Sequence, residues 1–332
     1  MTTRPRLTPA IAQVRSAVRS SLGATRPLVL VALSGGPDSL ALAAATAFEA
    51  KRANLAAGAV IVDHGLQPGS AHVAARAADQ ARDLGLDPVQ VRVVKVFAGA
   101  GPEAAAREAR YSALANAAAG TGASAILLGH TLDDQAETVL LGLARGSGLA
   151  SISGMAPETG IYLRPLLNLR RATTVQFCQD SGLEPWFDPH NADERFARVR
   201  VRETVLPMLE RELGPGIAQA LARTASIARE DAEALDLFAA DQLEELAEHA
   251  EAGISLPVKA LAANPPALRQ RIIRATVLAE FGVSLSRAHT LEVARLCTDW
   301  RGQAALHLPG LTVHRQGGLI VFSRATGSLT GA

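Results

Sequence analysis

The first chemically informative segment of the chain is a glycine-rich stretch with two serines and one carboxylate, directly after an apolar run. It consists of Ser34, Gly35, Gly36, Pro37, Asp38 and Ser39. Glycines let the backbone approach a ligand closely, and the N–H groups at a helix start attract anions. The segment predicts a pyrophosphate site at which Asp38 could hold Mg²⁺; the alternative is an ordinary capped turn between strand and helix. It is not a Walker A loop, because G-x-x-x-x-G-K-[ST] is absent.

A second group of ionisable residues lies within residues 129–138. His130, Asp134 and Glu137 are spaced four and three residues apart, so they share one helix face if the helix starts near His130. Asp133 would then point elsewhere. Such a face offers an imidazole to phosphate or adenylate, and carboxylates to Mg²⁺ or to a cationic substrate. The alternative is an acidic helix start that the helix dipole favours.

Two further segments offer candidate residues. Asp63 and His64 end the second strand at the same sheet edge, where they could line a nucleotide pocket or form an ordinary turn. Glu103, Arg107 and Arg110 fall on one helical stripe, and spacing alone favours a solvent-exposed, salt-bridged face for them.

Four arginines lie within eight residues that contain no acid: Arg195, Arg198, Arg200 and Arg202. With Phe196 available to stack on a base or to pack inward, they predict a local contact with RNA. The alternative is a helix start whose arginines pair with nearby acids such as Asp193 and Glu203.

The elements that must position these residues alternate between strand and helix. We predict strands over 28–33, 59–62, 89–94 and 125–128. We predict helices over 38–50, 70–84, 102–119 and 132–145. Continuous apolar strands followed by helices indicate a parallel sheet covered on both faces. The candidate residues then meet at the carboxyl edge of that sheet, where open α/β folds bind ligands.

The rest of the chain does not continue the alternation of strands and helices. After residue 145 a loop-rich stretch carries one short strand over 161–163, and residues 200–300 are expected to form helices without strands. Three short strands are predicted near the end, over 305–308, 311–314 and 319–322. We therefore predict one domain over 1–215 and a smaller, mainly helical domain over 216–332 that ends in short strands.

The overall composition narrows the class of protein. The 332 residues carry a formal net charge of +1 and 48% hydrophobic side chains, which excludes a highly basic nucleic-acid scavenger and a mostly disordered chain. Cys178 and Cys297 are far apart in sequence, so neither a disulfide scaffold nor a cysteine-rich metal site is expected. No apolar run approaches the roughly 20 residues of a membrane span. A cytoplasmic protein with no membrane partner is expected, and the oligomeric state, including a homodimer, stays open.

The S-G-G-P-D-S segment resembles the N-type ATP pyrophosphatase superfamily, whose members cleave ATP between its α- and β-phosphates. Further motifs are similar to the tRNA(Ile)-lysidine synthetase family: D-H-G-L, E-A-A-A-R-E-A-R-Y, G-H-T-L-D-D-Q-A-E-T, R-P-L-L and W-F-D-P-H-N. The resemblance is strong over residues 28–210 and weak beyond. It implies a Rossmann-like parallel α/β domain of the adenine nucleotide α-hydrolase type, then one helical tRNA-recognition domain, as in the shorter family form.

The resemblance also implies an activity: a carbon–nitrogen ligase that uses ATP to join L-lysine to C2 of the wobble cytidine in the tRNA(Ile) with a CAU anticodon. AMP and diphosphate are released, and decoding changes from Met to Ile. ATP is the implied cosubstrate and Mg²⁺ the implied metal. The expected ATP-binding residues are Ser34, Gly35, Gly36, Pro37, Asp38, Ser39, Asp63, His64, Gly129 and His130. The implied catalytic residues are Asp38, Arg110, His130, Asp134 and Glu137.

Finer roles depend on the same resemblance. Asp38 and Asp134 are expected to hold Mg²⁺, while Asp134 and Glu137 are expected to bind lysine. Glu137 would also help the ε-ammonium, with its ordinary pKa of about 10.4, to lose a proton before attack. The expected tRNA-binding residues are Arg195, Arg198, Arg200 and Arg202.

Two positions depart from the family pattern: His190 stands where serine is usual, and Gln67 where a basic residue is frequent. Two other functions share parts of the pattern. A tRNA 2-thiolation enzyme of the same superfamily would need cysteines for sulfur transfer or an iron–sulfur cluster, and this chain has only two, unpaired in sequence. An ATP-binding sensor without catalysis would need only the nucleotide site.

Overall fold

A six-stranded sheet forms the centre of the first part of the chain. Its strands are β1 (Leu28–Ala32), β2 (Ala56–Asp63), β3 (Val89–Val93), β4 (Ala125–Leu127), β5 (Glu158–Thr159) and β6 (Tyr162–Leu163). The strand order is β3-β2-β1-β4-β6-β5, and all neighbours are parallel except β5, which is antiparallel to β6. The predicted parallel α/β fold is confirmed.

The computed structural model describes residues 7–23, 26–65, 69–94, 102–146, 148–188, 193–250 and 253–325. The chain divides into two units, Met1–Arg229 and Glu230–Ala332. None of the helices in the described ranges is both long and apolar enough to cross a membrane.

Helices accompany the sheet in the first unit. They are α1 (Pro9–Leu22), α2 (Pro37–Ala53), α3 (Ser70–Asp83), α4 (Pro102–Thr121), α5 (Leu132–Arg145), α6 (Leu149–Ile152), α7 (Arg171–Asp180), α8 (Ala197–Arg200) and α9 (Leu206–Glu212). A further helix, α10 (Ile217–Leu246), begins in the first unit and continues into the second. A π-helical segment, Val201–Val205, joins α8 to α9. The helices α2 to α5 are those that the sequence predicts; α1 and α7 are additional.

The buried side chains of β1 alternate between two apolar cores. Val29 and Val31 belong to a core that includes α1, α2, α3 and α7. Leu30 and Ala32 face the other core, which includes Leu114 of α4. Because helices cover both faces of the sheet, polar ligands can approach the strands only at their ends.

The second unit contains a five-stranded antiparallel sheet. Its strands are β7 (Glu248–Ala250), β8 (Gly253–Pro257), β9 (Leu306–Leu308), β10 (Leu311–Gln316) and β11 (Leu319–Arg324). Its other helices are α11 (Val258–Ala263), α12 (Pro266–Phe281) and α13 (Arg287–Thr298). The sheet order is β7-β8-β11-β10-β9.

The expectation of helices without strands over 200–300 is wrong at β7 and β8. The strand β8 pairs with β11, more than sixty residues later, with Leu256 opposite Ile320. Such a non-local partner leaves no periodic signal in a short apolar run. The boundary between the two units falls inside α10, between Arg229 and Glu230, and the predicted division at 215/216 stays a prediction.

Candidate active site

The segment Ser34–Ser39, which we call the anion loop, connects β1 to α2. Gly35 has φ of +83°, a conformation that glycine adopts without a steric penalty. The backbone N–H of Ser34 donates to Oγ of Ser39 at 3.1 Å, and the two Oγ atoms are 3.0 Å apart. Ser39 Oγ also donates to the carbonyl of Gly36 at 3.0 Å. The serines thus brace the turn, while the first N–H groups of α2 have no partner within the helix and can bind an anion.

Gly129 follows β4 and packs against the anion loop. A Cβ atom at this position would stand 3.1 Å from the carbonyl carbon of Asp38 and from the nitrogen of Ser39. A larger residue would therefore push the loop away. On another side, the N–H of Trp186 donates to the carbonyl of Gly35 at 2.8 Å. The loop is held between these two backbone contacts.

Three carboxylates from two helices surround one arginine; we call Asp38, Asp134 and Glu137 the acid cluster. Nε of Arg171 lies 3.2 Å from Oδ2 of Asp38, and Nη2 lies 2.8 Å from Oδ1 of Asp134. Nη1 lies 3.5 Å from Oε1 of Glu137. Thr174 donates a short hydrogen bond to Asp38. Despite burial, the three acids raise the pKa of Arg171, so the guanidinium stays charged.

Asp134 has both a structural and an electrostatic contact. Its Oδ2 accepts the backbone N–H of Thr131 at 2.8 Å, which completes a capping box at the start of α5. Its Oδ1 faces Arg171. Burial would raise the pKa of Asp134, but Arg171, the hydrogen bonds from Thr131 and the nearby His130 together hold it below its usual value. Burial raises the pKa of Asp38, against the opposing effects of Arg171 and Thr174.

Glu137 is fully buried, with 0% of its side chain exposed. Nε of Arg202 donates to its Oε1 at 2.7 Å, and Nη2 of Arg202 donates to its Oε2 at 3.0 Å. Nε of Arg198 lies 3.4 Å from Oε2. Three arginines thus surround this buried side chain, and their charge-assisted contacts compensate for the loss of its hydration.

His130 and Arg110 supply the basic groups near the anion loop. The helix α5 begins at Leu132, so His130 lies before it. The predicted helix face shared by His130, Asp134 and Glu137 is therefore wrong for His130. Burial lowers the pKa of His130 to about 3, and the imidazole is therefore neutral at physiological pH. Its Nδ1 is buried and has no hydrogen-bond partner among the described residues. Burial also lowers the pKa of Arg110, and no ion pair of Arg110 occurs in the described part of the chain.

Asp63 and His64 lie at the end of β2, outside the lining of the cavity described next. Oδ1 of Asp63 accepts the N–H of Gly65 at 2.9 Å, as in an ordinary turn. Burial lowers the pKa of His64, and the positive charge of Arg110 lowers it further. Nδ1 of His64 is buried without a partner in the described ranges. Their predicted ATP contacts stay predictions.

A cavity of about 510 Å³ opens beside the anion loop. Its lining combines the loop, the basic pair, part of the acid cluster and two aromatic residues. The members are Ala32, Ser34, Gly36, Pro37, Asp38, Ser39, Arg110, Gly129, His130, Asp134, Arg171, Val175, Trp186, Phe187, Arg198, Arg202 and Glu203. An anion-binding loop, the cationic Arg110, which has no ion pair among the described residues, and a carboxylate pair therefore share one cavity.

The four arginines of residues 195–202 divide into two pairs. Arg198 and Arg202 point into the cavity and contact Glu137. Arg195 pairs with Asp193 at 2.7 Å, as the alternative reading expected, and its side chain is 83% exposed. Arg200 is exposed and donates to the backbone carbonyls of residues 194 and 195. The π-helical turn carries Arg202, and such turns occur frequently at functional sites.

Arg171 is the principal site residue that no motif in the sequence indicates. It stands at the start of α7, where its backbone N–H donates to Oδ2 of Asp133 at 2.7 Å. Its neighbour Arg170 turns away and pairs with Asp133 at 3.0 Å. The sequence indicates such a residue only indirectly, because carboxylates that are predicted to be buried together need a cation beside them.

Two family models match the sequence. Residues 8–209 match a PP-loop domain, and residues 256–320 match a TilS substrate binding domain. A tRNA(Ile)-lysidine synthase from Leifsonia xyli subsp. xyli is 65% identical over 296 residues, covering 89% of this chain and 89% of the relative. The chain belongs to the tRNA(Ile)-lysidine synthase family.

Other proteins of that name are similar over comparable lengths. The tRNA(Ile)-lysidine synthase of Streptomyces coelicolor is 53% identical and covers 90% of this chain and 85% of its own. That of Thermobifida fusca is 52% identical, with 91% and 94% covered. Among solved structures, the U34-tRNA thiolase NcsA from Methanococcus maripaludis, with its [4Fe-4S] cluster, covers 67% of this chain and 80% of its own with a TM-score of 0.55. At 18% identity this likeness concerns the fold alone.

The arrangement of the acid cluster bears on the metal expected for a tRNA(Ile)-lysidine synthase. Mg²⁺ prefers oxygen ligands such as the carboxylates of Asp38 and Asp134. The facing oxygens of these residues, however, are both in contact with the guanidinium of Arg171. Within the described ranges, no group of three or more His, Cys, Asp and Glu side chains could hold a metal ion. In this arrangement Asp38 and Asp134 do not fit a divalent metal ion, because the guanidinium of Arg171 occupies the position between them.

The two departures from the lysidine synthase pattern, Gln67 and His190, lie outside the described residues. The aromatic residues that precede His190 are described: Trp186 contacts the anion loop, and Phe187 is 67% exposed at the cavity. An exposed aromatic ring at a polar cavity is a candidate surface for stacking a base.

Proposed function

We propose that this chain joins L-lysine to C2 of the wobble cytidine in the tRNA(Ile) with a CAU anticodon, using ATP. The observation that carries the proposal is one cavity in which the anion loop, Arg110 and two members of the acid cluster, Asp38 and Asp134, meet. The reaction needs these three sites together, because it must bind a polyphosphate, stabilise an adenylate and accept a cationic amino acid. The identity to named lysidine synthases supports the substrate.

The first step transfers AMP to the base. The C2 carbonyl oxygen of cytidine attacks the α-phosphorus of ATP, and the bond to the β-phosphate oxygen breaks, so pyrophosphate leaves. We assign the backbone of Gly35 and Gly36 to the departing pyrophosphate and Arg110 to the charge that develops on the adenylate. The neutral imidazole of His130 donates or accepts a hydrogen bond there, since it carries no charge at physiological pH.

The second step uses lysine. Its ε-amine attacks C2, the bond between C2 and the adenylate oxygen breaks, and AMP leaves while the attacking nitrogen loses a proton. Asp134 and Glu137 are the proposed acceptors of the ammonium groups, with Glu137 favoured for the proton. Arginines now contact both carboxylates, so lysine must compete with them. Mg²⁺ is predicted to accompany ATP, and Asp38 is the carboxylate on the anion loop itself.

The tRNA is proposed to contact surfaces around the cavity. Arg195 and Arg200 are exposed and available to phosphates, whereas Arg198 and Arg202 would act inside the cavity. Phe187 is proposed to stack on the wobble base once it leaves the anticodon stack. The domain over 216–332 is proposed to recognise the rest of the tRNA, which the substrate binding domain match over 256–320 supports.

A thiolation reaction is less well supported. The chain has two cysteines, and burial raises the pKa of Cys178 to about 12 and that of Cys297 to about 11, so neither forms a thiolate readily. A non-catalytic ATP sensor would not need the acid cluster. We propose a cytoplasmic location, where tRNA is modified, and the homodimer stays an open prediction.

The direct test is the incorporation of labelled lysine into tRNA(Ile) carrying a CAU anticodon, with ATP and Mg²⁺. Wild-type protein is expected to incorporate lysine, Asp38→Ala is expected to lose incorporation, and Asp79→Ala is the matched control, because Asp79 is exposed and pairs with Arg82. Tight ATP binding without incorporation in the wild type would favour the sensor.

A further inference from the structure

Arg171 connects the two halves of the cavity through its side chain. Asp38 belongs to the anion loop and the start of α2, while Asp134 and Glu137 belong to α5. Each nitrogen of the guanidinium faces a different one of these carboxylates, at 3.2, 2.8 and 3.5 Å. The described residues contain no other cation in contact with both Asp38 and α5. Arg202 and Arg198 contact Glu137 but not Asp38.

In its present position Arg171 occupies an acceptor that lysine will need, and its own donors are held away from the phosphates of ATP. Oδ1 of Asp134, which accepts from Nη2 of Arg171, is an oxygen that a lysine ammonium would require. The guanidinium also lies at the anion loop, where its planar fork suits phosphate oxygens as well as carboxylates. It cannot serve the phosphates of ATP and all three acids together. A bound polyphosphate and the acid cluster therefore compete for one cation.

We propose that Arg171 is a positioning residue that moves from the acid cluster to the phosphates when ATP binds, and so removes one of the arginines with which lysine must compete at Asp134 and Glu137. The inference rests on the proposed function, because it assumes that lysine binds at these carboxylates. Its consequence is ordered binding: nucleotide first, lysine second. By thermodynamic reciprocity, lysine strengthens nucleotide binding by the same factor.

The structure explains why this task falls to Arg171 and not to the adjacent arginine. Arg171 is only about one quarter exposed and lines the cavity. Arg170 pairs with Asp133 and lies 4.0 Å from Glu210, outside the cavity lining. The two residues are sequence neighbours of the same chemistry, so Arg170 provides the matched control.

The test is calorimetric titration of L-lysine into the full-length protein, with Mg²⁺ throughout, in the absence and presence of α,β-methylene ATP. For wild type we expect the analogue to tighten lysine binding by about tenfold or more, within the usual range of coupling between sites. Arg171→Met is expected to bind lysine more tightly than wild type without nucleotide, and to respond to the analogue by less than about twofold. Arg170→Met is expected to keep the wild-type response.

Arg171→Lys is the conservative variant, since lysine keeps the charge without the planar fork. It is expected to show an intermediate response, and it replaces Arg171→Met as the deciding variant if circular dichroism indicates that the methionine variant is unfolded. Norleucine, which lacks the ε-ammonium, is expected to show no response to nucleotide.

Several results would overturn the proposal. These are equal lysine affinity of wild type with and without the analogue, no lysine binding in either state, or an undiminished response in the deciding variant. Incorporation of lysine into tRNA is measured separately with wild type. Its absence alongside intact coupling would contradict the proposed function and leave the coupling by Arg171 standing.

Discussion

At the scale of single residues, the carboxylates of the acid cluster already have partners before any substrate arrives. Glu137 is fully buried between Arg202, Arg198 and Arg171. One carboxylate oxygen of Asp134 accepts a backbone hydrogen bond that caps α5. Arginine side chains therefore balance the negative charge of the site. A cationic substrate can bind these carboxylates only if it displaces an arginine.

Glu137→Gln tests the proposed role of this carboxylate in the second step. The variant keeps the shape of the side chain but removes its charge, so lysine ligation is expected to fall roughly 100-fold or more. Adenylation, measured as pyrophosphate release in the absence of lysine, is expected to stay near wild type. Loss of adenylation with intact lysine binding would contradict the assignment.

His130 predicts a dependence of stability on pH. The unfolded chain protonates this imidazole below its ordinary pKa of 6.5, whereas the folded chain resists protonation down to about pH 3. The free energy of unfolding should therefore fall as pH drops through this window, by roughly 2 kcal/mol between pH 7 and pH 5 from this group. Urea denaturation of wild type and His130→Gln at both pH values measures the difference. Equal losses in the two proteins would show that His130 does not contribute.

At the scale of elements, the segment 195–202 contains two pairs of arginines with different surroundings. Residues 198 and 202 are one helical turn apart and reach the cavity, while Arg195 and Arg200 face solvent. The spacing of four residues between Arg198 and Arg202 is consistent with a shared helix face, but the sequence alone predicts one RNA-binding cluster. In the structure the directions of the side chains divide the four arginines into an inner pair and an outer pair.

The outer pair is expected to serve the tRNA alone. Arg195→Ala with Arg200→Ala should raise the tRNA KM by roughly tenfold and flatten its salt dependence, because phosphate contacts release counterions. The KM for ATP should not change. As a contrast, the paired change of residues 198 and 202 to alanine should lower kcat. A tRNA KM that the outer double variant leaves unchanged would contradict the role of these arginines.

The sequence predicted those elements whose pattern is local. The strands β1, β2 and β4 contain buried apolar runs, β3 alternates valine with polar residues, and the helices α2 to α5 follow strands. The anion loop is recognisable from its glycines. The strand β8 is not predicted from the sequence, because its partner β11 is distant in sequence. Arg171 is not predicted for a similar reason. The three acids that it contacts belong to two other helices, and no spacing within α7 indicates these contacts.

At the scale of the whole molecule, charge is distributed so that RNA can bind only locally. The net charge is +1, and residues 230–251 contain nine acids with no lysine or arginine. Much of this stretch belongs to α10, which should repel phosphate. Association with tRNA must therefore depend on a few basic positions instead of a general positive field.

This distribution predicts a shallow salt dependence of tRNA binding. A plot of log Kd against log salt concentration is expected to have a slope magnitude below about 4, corresponding to few neutralised phosphates. Filter binding over a salt series measures it. A slope magnitude of about 8 or more would mean an extensive phosphate interface that the charge distribution does not support.

The most direct measurement of the central claim is the stoichiometry of the complete reaction. Purified protein, ATP, lysine and tRNA(Ile) with a CAU anticodon are incubated, and AMP, pyrophosphate and lysine-modified nucleoside are quantified by mass spectrometry. One cavity that performs both steps predicts equal amounts of all three products, and none with a tRNA whose wobble cytidine is replaced by guanosine. Release of ADP, or AMP formation without modified nucleoside in the complete reaction, would contradict the account.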